Sequence, residues 1–415
     1  MSNDGPPRIR VEFHAFLFVA GASPMGFLFH DVPLPSDVSP LAPDTSASPF
    51  AGTWLGRWGD VRNIVLIVEF VSDDGRADVV YAVADQPQAG RQGAWSRHQA
   101  ERVGDAMRLI GKRMTVTFSL SPTGHLRAVY GDAEAFAILA RRDIDNRDSG
   151  NIKWHTGANE FLQTDLEEDG KPVQLETVIF KPAGDGPFPL AVVNHGSTGM
   201  GDDPARFADT WVNDWFADRL VERGFLVAYP QRRGRGRSDG LYDEGFAVDR
   251  RDGYTCDAKR SLAGADRALE DITAAVNALC RRPDVRSDEP IVMAGQSRGG
   301  ILSLVYAGMH PNRTRAVINF VGGWIGEGCE TADQINQTLC LRGAKYPRKT
   351  LWLYGDKDAF YSMAHSRRNF AAFEGAGGIG EFLAASVDGE NNGHWLMSVP
   401  PLWEASVDRY LSDSD

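Results

Sequence analysis

The chain has 415 residues, with 42% hydrophobic and 24% charged side chains, which is the composition of a globular protein long enough for two domains. A formal charge of −12 argues against the basic face that nucleic-acid binding requires, so no nucleic-acid partner is expected. The one dense basic run, Gln-Arg-Arg-Gly-Arg-Gly-Arg at 231–237, is broken by glycines and reads as a loop.

Residues 1–50 read as an N-terminal segment and linker. Arg8 and Arg10 precede the apolar stretch Ala15–Phe29, and Ala20-Gly21-Ala22 offers a small-residue cleavage site, as in an export signal. Glu12, His14 and the break between Gly21 and Gly26 favour a strand pair instead. Of the two, a periplasmic or secreted location is the expectation. The stretch is too short and interrupted for a stable membrane span. Residues 31–50, rich in Pro, Ser, Asp and Ala, read as linker.

Residues 51–148 change character. Val61–Val71, Ala77–Ala84, Met107–Ile110, Met114–Leu120, His125–Tyr130 and Glu134–Ala140 are short apolar or alternating runs separated by turn signals such as Asp73-Asp74-Gly75. That rhythm implies an antiparallel β sandwich or barrel.

Residues 149–415 alternate strands with helices, which argues for a mostly parallel sheet flanked by helices. Strands are expected at Val173–Phe180, Leu190–Asn194, Phe225–Tyr229, Pro290–Ala294, Ala316–Val321, Thr350–Tyr354 and Glu381–Val387. Helices are expected at Thr210–Glu222, Ala263–Leu279, Gly300–Met309 and Pro401–Leu411. The fold class is therefore α/β, preceded by a small antiparallel β-rich domain. The segment 322–346 is long enough to form a lid over the strand ends.

Gly295-Gln-Ser-Arg-Gly299 has the Gly-x-Ser-x-Gly form in which a serine sits on a sharp strand-to-helix turn and small neighbours permit the close approach. A second copy, Gly236-Arg-Ser-Asp-Gly240, follows the basic glycine loop and precedes no helical pattern, so Ser238 reads as loop. Ser297 directly follows the apolar run Ile291–Ala294 and precedes a helix, which makes it the candidate nucleophile.

A serine hydroxyl needs a base and an orienting carboxylate, which in this arrangement follow it in the order acid, then histidine. Asp358, just past the strand at 350–354, is the expected acid; Asp356 is the alternative and a natural turn cap. His394, preceded by Gly393 and lying beyond the last strand, is the expected base. His365 lies in a helix and His195 at an earlier strand end, so both read as structural. The backbone N–H groups of Arg298 and Ser197 are the expected oxyanion donors, with Thr198 next to Ser197 as the substitute. The Arg298 side chain reads as an ion-pair strut. Trp324, Trp395, Tyr361 and Tyr254 are candidates for the pocket wall, with ordinary packing as the alternative for each.

The four cysteines show no metal-ligand spacing, so no metal is expected. Cys329 and Cys340, close in sequence, are the candidate disulfide, with free thiols as the alternative.

His195-Gly196, the loop at 231–240, Gly295–Gly300, Gly355-Asp-Lys-Asp358 and Gly393-His394 together resemble the dienelactone-hydrolase and prolyl-oligopeptidase branch of the α/β-hydrolases. The resemblance covers roughly residues 170–415. It implies the α/β-hydrolase fold and hydrolysis through an acyl-enzyme, with no metal or organic cofactor. The chain departs from dienelactone hydrolases in having a serine where they carry a cysteine, and from prolyl oligopeptidases in lacking the residues for a propeller. A small-molecule carboxylic ester is the expected substrate. A peptidase acting on short peptides is the nearest rival, and a binding protein with an inactive hydrolase domain is the rival of another class.

Overall fold

The computed structural model describes residues 27–29, 32–43, 48–58, 62–86, 92–111, 114–120, 126–131, 136–142, 157–198, 207–387 and 393–414. The expected export signal lies almost wholly outside them. The chain divides into two units, Met1–Trp154 and His155–Asp415.

The first unit opens with a hairpin of β1 (Phe27–Phe29) and β2 (Val32–Leu34), followed by a closed barrel. The barrel strands are β3 (Gly52–Trp58), β4 (Arg62–Val71), β5 (Arg76–Val83), β6 (Ala94–Val103), β7 (Ala106–Gly111), β8 (Met114–Leu120), β9 (Leu126–Tyr130) and β10 (Phe136–Arg142). Each runs antiparallel to the next, and β10 pairs with β3, so closure leaves no open edge.

Trp54, Leu66, Val79, Leu109, Phe118 and Leu139 point into the barrel and have 0% exposure, which means side chains fill the interior. The Trp58 indole N–H donates to the Tyr81 hydroxyl at 2.8 Å, satisfying a polar group inside this core. On β5, Val80 and Ala82 are buried as well as Val79, Tyr81 and Val83, which explains a continuous apolar run in place of strict alternation.

The linker expectation is corrected for residues 32–43. Val32, Leu34 and Val38 are buried, β2 packs on β4, β5 and β6, and the Leu41 N–H donates to the Val68 carbonyl. The valines and leucine among the prolines supply the anchor that composition alone hides.

The second unit is an eight-stranded sheet in the order β11-β12-β14-β13-β15-β16-β17-β18. These are β11 (Ala158–Glu168), β12 (Lys171–Phe180), β13 (Leu190–Asn194), β14 (Leu226–Pro230), β15 (Ile291–Gln296), β16 (Thr314–Phe320), β17 (Thr350–Gly355) and β18 (Gly380–Ala385). β11 and β12 form an antiparallel hairpin, β12 pairs antiparallel with β14, and the rest is parallel. The helices are α1 (Asp214–Glu222), α2 (Ala258–Cys280), α3 (Arg298–Met309), α4 (Ala332–Gly343), α5 (Met363–Gly375) and α6 (Glu404–Asp413).

Local chemistry starts these helices. Asn213 accepts from the Phe216 N–H at 3.0 Å, and Asp257 accepts from the Arg260 N–H at 2.7 Å. On α2 the apolar positions 268, 269, 272, 275, 276 and 279 are all buried, as a helical period requires.

From β13 the chain passes to β14 on one side, then returns to β15 on the other. The carboxyl ends of β13 and β15 therefore flank a topological switch point, where ligand crevices form in open α/β sheets. Asn194 ends one strand and Gln296 the other.

The lid expectation for 322–346 is also corrected. Gly322–Ile325 is buried, and α4 packs against α3 and α5 as the crossover helix between β16 and β17. The Asn336 side chain holds the segment down, accepting from the Trp324 N–H at 2.8 Å and donating to the Ile325 carbonyl at 2.9 Å.

Candidate active site

Ser297 occupies the turn between β15 and α3 with φ 56° and ψ −122°, a conformation that costs a β-carbon-bearing residue about 1–3 kcal/mol. The surroundings hold it there: its N–H donates to the Phe320 carbonyl at 2.9 Å, and its carbonyl accepts from Gly323 at 3.2 Å. The elbow needs glycine at 299, because a β-carbon there would lie 1.9 Å from the Asn194 carbonyl oxygen. Ser238 is loop, as expected. Its hydroxyl donates to the Gln231 carbonyl at 2.7 Å and accepts from the Glu176 N–H at 2.9 Å.

Asp358 and His394 come together from different loops. The His394 Nδ1 donates to Asp358 Oδ2 at 2.8 Å, and both residues are buried. The other carboxylate oxygen accepts from the N–H groups of Phe360 and Tyr361, at 2.8 and 3.0 Å. Two backbone donors thus fix the acid, and the acid fixes the histidine tautomer with its proton on Nδ1. Gly393 permits the approach: a β-carbon there would sit 2.0 Å from the Asp356 carbonyl oxygen. Asp356 itself caps a turn, accepting from Ser386 Oγ and the Val387 N–H, each at 2.8 Å.

Gln296 links the two halves, its Nε2 donating to the His394 carbonyl at 2.8 Å. The Tyr361 ring lies 5.6 Å from the His394 ring and against Gly323, whose N–H donates to the Ser297 carbonyl. Ser297, His394 and Asp358 therefore share one buried neighbourhood.

Gly196 runs close beside the serine, its β-carbon position only 3.7 Å from Ser297 Oγ. Ser197 follows it. Among the described residues no hydrogen bond is formed by the backbone N–H of Ser197 or of Arg298, so both donors are available.

His195 is structural. Its Nδ1 donates to the Gly196 carbonyl at 2.8 Å, and its Nε2 accepts from the Arg232 N–H at 3.0 Å. Burial, with Arg232 and Arg235 nearby, pushes its pKa well down and keeps the ring neutral. His365 is held between α4 and α5, its Nδ1 2.8 Å from Asp333 and its Nε2 3.0 Å from the Asn336 amide.

A buried ionic cluster braces the site from below. Arg232 ion-pairs with Glu244 and donates to the carbonyls of His195 at 2.9 Å and Gly196 at 3.2 Å. Arg298 donates to the Glu244 carbonyl and the Trp324 carbonyl, each at 2.8 Å. Its guanidinium stacks on Tyr254 at 3.6 Å and Trp324 at 4.1 Å. The arginine is thus the expected strut. Trp324, with 1% exposure and its indole N–H donating to Ser261, is part of that brace and not a pocket wall. Tyr254 serves the same stack. Trp395 does stand at the solvent side of His394, 5.9 Å from its ring, and is 44% exposed.

Sequence reading missed three residues here: Gln296, Glu244 and Phe360. The Phe360 ring lies 4.7 Å from His394 and is 49% exposed. Its position two residues after the acid is the signal that could have found it.

The disulfide expectation is corrected: Cys329 pairs with Cys256, with Cα atoms 5.6 Å apart, while Cys340 is a free, buried thiol inside α4. Burial pushes the Cys340 thiol up to about 12, so it stays protonated. Among the described residues no cluster of His, Cys, Asp and Glu has the arrangement to hold a metal ion. No helix among them is long and apolar enough to cross a membrane.

A mostly parallel sheet in this strand order, with a serine on a strained elbow after its central strand, is the arrangement of the α/β-hydrolase fold. Residues 208–327 match the model of the serine aminopeptidase family S33, a span that includes Ser297 and ends before Asp358 and His394. Among solved structures, the chain is similar to the esterase Pf2001 of Pyrococcus furiosus, with 13% identity and a TM-score of 0.44 over 64% of this chain and 94% of that one. It is also similar to Est1E of Butyrivibrio proteoclasticus, with 15% identity and a TM-score of 0.39 over 62% and 98% of the two chains. A putative dienelactone hydrolase of Klebsiella pneumoniae shows 18% identity and a TM-score of 0.39 over 61% and 99%. No curated protein sequence matches.

Proposed function

We propose that the protein cleaves carboxylic esters through an acyl-enzyme, with Ser297 as nucleophile, His394 as base and Asp358 as orienting acid. The observation that carries this reading is the His394 Nδ1–Asp358 Oδ2 hydrogen bond of 2.8 Å, beside a serine on a strained elbow.

With its Nδ1 proton committed to Asp358, the imidazole presents Nε2 as a base. Ser297 Oγ attacks the ester carbon while its proton passes to His394 Nε2, and the carbonyl electron pair moves onto oxygen. The N–H groups of Ser197 and Arg298 stabilise that oxyanion. The ester C–O bond then breaks, and the imidazolium returns the proton to the departing alcohol. Water repeats the sequence to release the acid.

Phe360 and Trp395, uncharged and exposed, stand beside His394 where the leaving group departs. The match to a serine aminopeptidase family keeps a peptidase as the second reading.

A panel of p-nitrophenyl acyl esters beside aminoacyl anilides decides between them. The proposal expects turnover of the esters at least about 100-fold above the anilides in kcat/KM. Preference for anilides would replace the esterase by a peptidase, and no turnover of either would favour a binding protein.

A further inference from the structure

We propose that Glu327 is a positioning residue for Asp358: from the end of the neighbouring strand it sets the loop 358–362 that carries the acid, and the Cys256–Cys329 disulfide holds it there. This inference rests on the reading of Ser297, His394 and Asp358 as a triad.

Glu327 lies in the segment between β16 and α4, and three contacts tie it to the acid loop. Its N–H donates to the Phe360 carbonyl at 2.9 Å. Its carboxylate accepts from the Ser362 N–H at 3.1 Å and from the Ser362 hydroxyl at 2.7 Å, so both oxygens are engaged. The peptide unit between Phe360 and Tyr361 is thereby held at both ends. Its carbonyl oxygen accepts from Glu327, and its N–H donates to Asp358 Oδ1 at 3.0 Å. Asp358 Oδ2 in turn accepts from His394 Nδ1. One chain of hydrogen bonds therefore runs from the Glu327 N–H through a single peptide to the carboxylate and the imidazole, and each bond polarises the next.

Glu327 can act this way because it is itself anchored on both sides. Two residues before it, the Ile325 N–H and carbonyl are bound by the Asn336 side chain, at 3.2 and 2.9 Å. Two residues after it, Cys329 closes a turn, its N–H donating to the Gly326 carbonyl at 3.0 Å, and is bonded to Cys256 across 73 residues. The Thr331 hydroxyl adds a hydrogen bond to the Cys256 carbonyl. Glu327 is exposed, so its hydrogen bonds contribute little to global stability. Their effect is on geometry. A carboxylate slightly out of place weakens the bond that orients His394, and a misplaced base slows proton transfer without weakening substrate binding.

Glu327→Ala tests this, because it removes the carboxylate and leaves the main chain. The expected result is a fall in kcat of about tenfold, with KM changed by less than about twofold and the thermal melt nearly unchanged. Glu327→Gln keeps an acceptor for Ser362 and should recover most of the loss. In proton NMR the low-field resonance of the His394 Nδ1–H, absent from His394→Ala, should shift or broaden in Glu327→Ala and return in Glu327→Gln. A variant carrying both Cys256→Ser and Cys329→Ser should lower kcat in the same direction at unchanged KM. Wild-type kcat in Glu327→Ala overturns the proposal. So does a lowered kcat with an unmoved resonance, which would make Glu327 a structural brace only. Full kcat in the double serine variant overturns the part given to the disulfide. If Glu327→Ala does not fold, Ser362→Ala removes the hydroxyl that bonds the same carboxylate; it must show the kcat loss and the resonance change, or the proposal fails. Failure of the wild type to react with a fluorophosphonate is a different result: it would overturn the serine-hydrolase reading, and this inference with it.

Discussion

The Gln296 side chain donates to the main-chain carbonyl of His394 at 2.8 Å, so the residue before Ser297 holds the backbone of His394. Gln296 is buried at the end of β15, and His394 is the second residue of a short, kinked 3-10 segment, Gly393–Ser398, after the last strand. A rigid strand end therefore sets the position of a loop histidine.

Gln296→Met keeps the volume and removes the donor. We expect kcat to fall about tenfold or more with little change in KM, because a misplaced base weakens the transition state and not substrate binding. Steady-state kinetics beside a thermal melt checks this; unchanged kcat would show that the histidine loop is held by its other contacts.

The Arg232–Glu244 pair predicts a stability effect. Burial opposes both charges, yet their mutual attraction and hydrogen bonds hold Glu244 below and Arg232 above the ordinary ranges. Arg232→Met leaves the buried Glu244 carboxylate with only the longer Arg298 contact of 3.5 Å and the Tyr242 hydroxyl, and should cost about 3 kcal/mol in urea unfolding. Adding Glu244→Gln should recover part of that loss. Equal stabilities for the single and double variants would contradict the pairing. Activity should fall as well, since Arg232 also fixes the carbonyls of His195 and Gly196.

Much of the second unit is legible in its sequence, and the failures have physical causes. Ser297, Asp358 and His394 lie at element ends marked by glycine and short polar turns, where local chemistry speaks directly. β11 escapes notice because it is an edge strand with one buried residue, Leu162, so its apolar period is nearly empty. The Asp169-Gly170 turn that follows, with φ 52° and 73°, was the available signal for a hairpin. α4 is hidden because only Ala332, Ile335, Leu339 and Cys340 supply its buried apolar side chains among polar neighbours. The Cys256–Cys329 pair joins residues 73 apart, a distance that spacing cannot pair. In the first unit, alternation announces antiparallel strands, but sandwich and barrel share it. Only the β3–β10 pairing distinguishes them.

Asp284 carries a pH-dependent share of stability. The Arg282 guanidinium, with Lys181 assisting against modest burial, holds its carboxyl down at about 2 from an ordinary 3.8. A depressed acid stabilises the fold above the unfolded pKa, and the contribution is lost as pH falls through the folded one. It is full above about pH 5, about half at pH 3 and absent below about pH 2. After allowance for solvent screening, Asp284→Asn should cost about 1 kcal/mol at pH 7. Urea unfolding of both proteins at pH 7 and pH 3 should show the gap narrowing; a gap constant with pH would contradict the assignment.

The most direct test is active-site labelling with a fluorophosphonate. The wild-type protein should take up one equivalent at Ser297, located by peptide mass analysis, and lose its esterase activity in proportion. Ser297→Ala should neither label nor turn over esters, and His394→Ala should label slower by about 1,000-fold or more. Labelling that persists in Ser297→Ala, or a wild-type protein that never labels, would contradict Ser297 as the nucleophile.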